Sequence, residues 1–228
     1  MSYSDRYVKN KLYNIYINSI INGQKSITNQ FGGEDSHTYG GQAPIIQVPE
    51  ANKRLAPTLV DRDGNIKSRG EALLPSNAKE LTIRELNEQG YIIKLLKNNK
   101  LVDAETIMGK ESWKKRIESN VSLEGLHEEI KNNRLKNQKD YDGVSVAVML
   151  RRNPRTRPND FGIYSLKGFL ENTYGNSIVL NSLDVANVAE GDYDFDKADF
   201  FFAHRNNMWN HIERTSNHFV QGINVDRY

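Results

Sequence analysis

Between Val144 and Ala203 the chain packs four runs of strand-forming residues into sixty positions. Val144-Ser145-Val146-Ala147-Val148-Met149-Leu150 is followed by strands predicted over Gly162–Leu170, Ser177–Leu180 and Ala198–Ala203. β-branched and aromatic residues at this density favour a pleated, half-buried surface. Pro154, Pro158 and the pair Gly175-Asn176 punctuate the runs, which keeps the strands short. One short helix is predicted over 182–189, capped by Ser182. Short strands interleaved with one small helix predict a compact barrel or α+β unit.

The remainder divides into three parts. Tyr3, Tyr7, Leu12, Ile15, Tyr16 and Ser19 lie at helical spacing and Gly23 is a stop signal, so residues 1–23 read as an N-terminal helix. Residues 24–142 are loop-rich and then helical. Within them Asp61-Arg62-Asp63-Gly64-Asn65, between Thr58-Leu59-Val60 and Ile66, predicts a hairpin turn. Glu71–Leu74 is a short strand ending at Pro75, Ser76 is expected to cap a helix through Leu86, and Tyr91–Leu96 is a second extended piece. Trp113, Ile117, Leu123, Leu126, Ile130 and Leu135 form the apolar stripe of a charged helical stretch. Residues 143–204 are the strand-rich unit, and 205–228 a C-terminal helical segment on which Trp209 and Phe219 pack inward. His204, His211 and His218 share a face of that helix, too widely spaced for one metal ion.

Composition excludes several classes. Among 228 residues there is no cysteine, hence neither a disulfide framework nor a thiolate zinc site. A formal charge of +2 does not announce a nucleic-acid binder. No apolar run approaches the roughly 20 residues of a membrane span, and the first residues lack the apolar core of a secretory signal. A soluble chain with no membrane partner is expected.

The chemistry concentrates in Gly191-Asp192-Tyr193-Asp194-Phe195-Asp196-Lys197. Alternate residues of an extended segment point to one side, so the three carboxylates of Asp192, Asp194 and Asp196 can converge. Oxygen ligands without a basic counterweight suit Mg²⁺. A calcium loop fits badly: counting Asp192 as position 1, position 6 is Lys197 rather than glycine and position 12 is Ala203 rather than glutamate. A solvated turn is the other reading of the run alone. Upstream, Arg151-Arg152-Asn153-Pro154-Arg155-Thr156-Arg157-Pro158 is a basic, proline-stiffened loop, which by itself would be ordinary surface.

Taken in order, these elements resemble the catalytic double-psi β-barrel of DNA-dependent RNA polymerases. The cellular enzymes carry an Arg-x-Pro-Thr segment, a glycine-led strand and, about forty residues on, an Asp-Phe-Asp-Gly-Asp loop. Here Arg152-Asn153-Pro154-Arg155-Thr156 leads to Gly162 and then to Asp192-Tyr193-Asp194-Phe195-Asp196. The likeness is closer to the divergent polymerases of crAss-like phages, whose pattern Phe169-Leu170, Gly175-Asn176 and Lys197 also follow. It covers roughly residues 144–203. Phe195 stands where the cellular loop has glycine, and Arg155 separates Pro154 from Thr156.

The resemblance implies an α+β fold whose last third is part of a double-psi β-barrel, and nucleotidyl transfer from nucleoside triphosphates to an RNA 3′ end. Asp192, Asp194 and Asp196 would hold Mg²⁺, a second ion arriving with the nucleotide. Arg152 would touch the nucleotide sugar or the RNA end. Arg155, Arg157 and Lys197 would contact phosphates. The chain stops 32 positions after Asp196, so it is expected to be a subunit or fragment. Its partners would be other polymerase chains, one bearing a second barrel, with a DNA template and RNA product, in the host cytoplasm or packaged in a phage virion. A non-catalytic barrel module of a virion or nucleoprotein assembly, and a piece of an RNA-templated polymerase, are the alternative expectations.

Overall fold

A computed structural model describes residues 42–63, 65–136, 139–153, 161–187, 191, 196–204 and 223–224. The predicted N-terminal helix lies outside them, as do Asp192, Asp194, Arg155 and Arg157. The fold is mixed α and β. Its first strands are β1 (Gln42–Pro44), β2 (Leu59–Val60), β3 (Ile66–Ser68) and β4 (Glu71–Leu74), with α1 (Pro49–Arg54) between β1 and β2. There follow α2 (Ile83–Glu88), β5 (Tyr91–Ile92), β6 (Lys94–Lys97), β7 (Lys100–Asp103), α3 (Ala104–Met108), α4 (Lys110–Glu118) and α5 (Leu123–Leu135). The strand-rich end holds β8 (Val144–Asn153), β9 (Phe161–Phe169), β10 (Val179–Leu180), α6 (Ser182–Asn187), β11 (Lys197–Phe201) and β12 (Ala203–His204). Ile223–Asn224 form β13.

The main sheet runs β1-β11-β8-β9-β4-β10. Its two end strands are themselves joined. Ile45 and Ile178 form a parallel bridge, the Ile46 N–H donates to the Ile178 carbonyl at 3.0 Å, and the Ile178 N–H donates to the Pro44 carbonyl at 2.9 Å. This one bridge curls the sheet so that the ends of the path meet, while among the described residues β7 pairs with β6 alone and leaves an edge. All its pairings are antiparallel except β4 with β9.

β8 is the axis of this arrangement. One flank carries β9; the other is shared, with β6 on Val144–Val146 and β11 on Met149–Asn153. Val146 through Leu150 are buried at consecutive positions, so both faces of the strand are covered, as a continuous apolar run requires. Helix α5 covers one of them, with Leu123 and Leu126 wholly buried and Ile130 nearly so. The stripe expected there extends to Leu135, but Leu135 is 70% exposed and ends it.

Local chemistry moved some boundaries. Ser76 opens only a 3₁₀ turn, Ser76–Glu80. The helix after it begins at Thr82, whose hydroxyl accepts the Glu85 N–H while the Glu85 carboxylate accepts the Thr82 N–H, a capping box that satisfies two otherwise orphaned donors. The Ile83 N–H donates to Val121 and the Leu123 N–H to Leu81, which ties the starts of α2 and α5 together. Likewise α6 is capped by Asn181 rather than Ser182: the Asn181 Oδ1 accepts the Leu183 N–H at 2.9 Å. The hairpin predicted at Asp61 is present as β2 and β3, with the Asp61 carboxylate accepting the Asp63 and Asn65 N–H groups. Within the C-terminal segment expected to be helical, Ile223–Asn224 form a strand parallel to β2. His204 lies in β12, paired with β5, not on a helix, and His211, His218, Trp209 and Phe219 fall outside the described residues. No helix among the described residues is long and apolar enough to cross a membrane.

Leu126→Ala removes a side chain at the contact of α5 with the sheet and is expected to cost about 2–5 kcal/mol, read as a lower urea midpoint with an unchanged slope.

Candidate functional site

Two consecutive arginines leave β8 on opposite faces, because successive strand residues alternate. Each finds an aspartate from β11 or its approach. Arg151 is opposite Asp199 in the register, and its Nη2 donates to Asp199 Oδ2 at 2.5 Å. The Arg151 guanidinium also lies 5.9 Å from the centre of the Phe201 ring, within cation–π range. Arg152 is opposite Ala198 and reaches diagonally to the residue two positions earlier on the same face. Its Nε donates to Asp196 Oδ1 at 2.6 Å, and its Nη2 approaches the same oxygen at 2.5 Å.

Both pairs are buried. The side chains of Asp196 and Asp199 are 3% and 2% exposed, those of Arg152 and Arg151 12% and 10%. Coulomb attraction at such sites is largely offset by the cost of removing two ions from water. Removing one partner is different, because the other charge is left behind in a dry place.

Asp196 is held from further directions. Its carbonyl accepts the Ile45 N–H at 2.8 Å, which continues the β1–β11 ladder. Its Oδ2 faces Gly191, where an added Cβ would sit 2.5 Å from that oxygen and 2.9 Å from Val185 Cγ1. Gly191 in turn donates its N–H to the Val185 carbonyl of α6 at 2.8 Å. The two ends of the aspartate run, Gly191 and Asp196, are thereby brought against each other and onto α6. Lys197 is exposed at the start of β11.

Behind this lies a second polar cluster that sequence reasoning missed. Asp184 on α6 is 1% exposed. Its carboxylate accepts the Thr58 N–H at 2.8 Å and the Thr58 hydroxyl at 3.2 Å. The Gly70 N–H donates to that hydroxyl at 3.1 Å. A Cβ on Gly70 would collide with Asp184 Oδ2, so glycine is there to let backbone and carboxylate approach. Burial pushes the Asp184 carboxyl up to about 6, against the lowering effect of the two Thr58 hydrogen bonds. The Tyr164 hydroxyl is raised well above its ordinary range by burial and by the neighbouring Asp184. No sequence signal marks Asp184 beyond its place among apolar residues.

Chemically, the described part of the site offers a buried carboxylate of fixed orientation, a guanidinium fork and an exposed lysine. The carboxylate is a hard oxygen donor of the kind Mg²⁺ takes, but it does not lack a basic counterweight, as the run alone suggested: the Arg152 guanidinium already meets its Oδ1. Among the described residues no three His, Cys, Asp or Glu side chains gather as a metal would need. The run's other two carboxylates, Asp192 and Asp194, are outside that set. No protein-family model matches the chain, and no curated protein is significantly similar to it.

Two outcomes follow. Asp199→Ala leaves Arg151 buried and uncompensated and is expected to cost about 3–5 kcal/mol in denaturant unfolding. The Asp184 carboxyl, held in the fold above its usual 3.8, makes the folded state bind protons more tightly than the unfolded one. Stability should thus fall as pH rises from about 4 to about 6, by roughly 3 kcal/mol, and level off above. Asp184→Asn should flatten that slope in melts recorded across the same range.

Proposed function

We propose that this chain supplies the Mg²⁺-binding aspartate loop of a phage-type, DNA-directed RNA polymerase and works with partner chains. One observation carries the reading. The arginine of the Arg-x-Pro segment and the last aspartate of the run, 44 positions apart, lie on each other within hydrogen-bond distance. The resemblance treats these two motifs as parts of one centre, and their meeting supports that. The curled sheet that carries them is compatible with an α+β barrel region.

In this reading Asp192, Asp194 and Asp196 hold the ion, with Arg152 at the same centre. When bound, Mg²⁺ would supply charge neutralisation for the attacking 3′-hydroxyl and the departing pyrophosphate of the nucleotide. The chain's own part rests on the two ends of the run, Gly191 and Asp196, which are held against each other and onto α6. Lys197, exposed beside the loop, and Arg155 and Arg157 on the basic loop after β8, are placed by the reading on phosphates of nucleotide or nucleic acid. A second barrel bearing lysines, the DNA template channel and the RNA exit belong to the partners.

Asp194→Ala in the assembled enzyme is expected to reduce RNA synthesis to background while the variant still co-purifies with its partners. Normal template-directed synthesis by that variant would overturn the reading and leave the chain a non-catalytic barrel module of a virion or nucleoprotein particle.

A further inference from the structure

We propose that Arg152 and Gly191 are positioning residues that together fix the orientation of the Asp196 carboxylate, so that Arg152 acts through Asp196 rather than on the nucleotide. The proposal rests on the metal-site reading above and adds to it a division of labour. Its grounds are geometric. Arg152 places two donors, Nε and Nη2, on the single oxygen Oδ1, an arrangement that fixes the place of that oxygen. Gly191 sets the other side: any side chain there would enter the space of Oδ2. The Ile45 N–H on the Asp196 carbonyl fixes the backbone between them. A carboxylate so enclosed cannot turn without moving β8, the loop end or β1.

Two effects of Arg152 on an ion at this centre oppose each other. Its positive charge repels a divalent cation. Its grip keeps Asp196 in its ligating orientation, and without it a carboxylate this buried turns toward water. In this proposal the grip outweighs the repulsion. Groups that orient a ligand from behind typically carry about a tenfold to hundredfold share of metal affinity.

The test uses the full chain, folded state checked by circular dichroism, with two readouts. Exchange of the Arg152 Nε–H with water is followed by ¹⁵N NMR. It should be slow in the wild type and faster by about tenfold in both Asp196→Asn and Gly191→Ala, as local protection is lost. Mn²⁺ binding is followed by electron paramagnetic resonance. Arg152→Gln, Arg152→Lys and Gly191→Ala should each weaken it by about ten- to a hundredfold, the lysine variant showing that charge without the fork does not suffice. Nε–H exchange unmoved by Gly191→Ala, or Mn²⁺ affinity unmoved or tightened by Arg152→Gln, overturns the proposal. A wild type that binds no Mn²⁺, yet loses Nε–H protection in Gly191→Ala, upholds the positioning and overturns the metal-site reading instead.

Discussion

The pairing of β8 with β11 is the constraint on which the rest of the structure hangs. Five residue pairs in register set Arg151 opposite Asp199 and put Asp196 within diagonal reach of Arg152. A slip of one position would turn every side chain of β11 to the other face. It would set Arg151 against Ala198 or Phe200 and part both arginines from their present aspartates. Two buried ion pairs on opposite faces of the same two strands make that slip costly twice over. The pairs add little net stability; what they specify is which register survives.

That specification has an effect on either face. On one, Arg151, Asp199 and Phe201 form a closed, dry cluster with no exposure to speak of. On the other, Arg152 meets Asp196, the residue just before β11. The same motif of adjacent arginines thus provides a structural pin and a site residue, separated only by the pleat. α6 ties the second face to the interior. Asp184 anchors it to Thr58 and Gly70 below, and Val185 accepts the Gly191 N–H above.

Much of the strand-rich unit was legible in the sequence because its strands announce themselves locally. Val144–Leu150 is apolar but for Ser145, with valine at 144, 146 and 148, and the fold has Val146–Leu150 buried on both faces. The Asp61 turn is similarly local, since its carboxylate satisfies backbone donors two and four residues on. Elements defined by distant partners were not legible. β1 is three residues long and owes its existence to β11 and to the bridge at Ile178. Caps were misassigned where two polar residues competed. Ser76 precedes a turn stabilised by Pro75, while Thr82 has the glutamate three positions on that completes a box. Asn181 outdoes Ser182 because its longer side chain reaches Leu183 while its amide also serves the Asn52 and Leu55 carbonyls. At the candidate site, the three aspartates and Arg152 could be singled out as residue types in a pattern. That Arg152 rests on Asp196, and that Gly191 makes room for it, depends on strand register, which no local pattern encodes.

The meeting of the sheet's two ends has a kinetic side. β1 comes from the front of the described chain and β11 from near its end, and β4 must slide in parallel beside β9 from far upstream. Such pairings are paid for in loop entropy before they return any contact. During synthesis β1 and β4 therefore wait with unpaired edges until β9, β10 and β11 have emerged. The Arg152–Asp196 contact is made late, once β11 has emerged to pair with β8. A chain interrupted before Phe201 lacks that full register, so half-built copies do not hold the two motifs together.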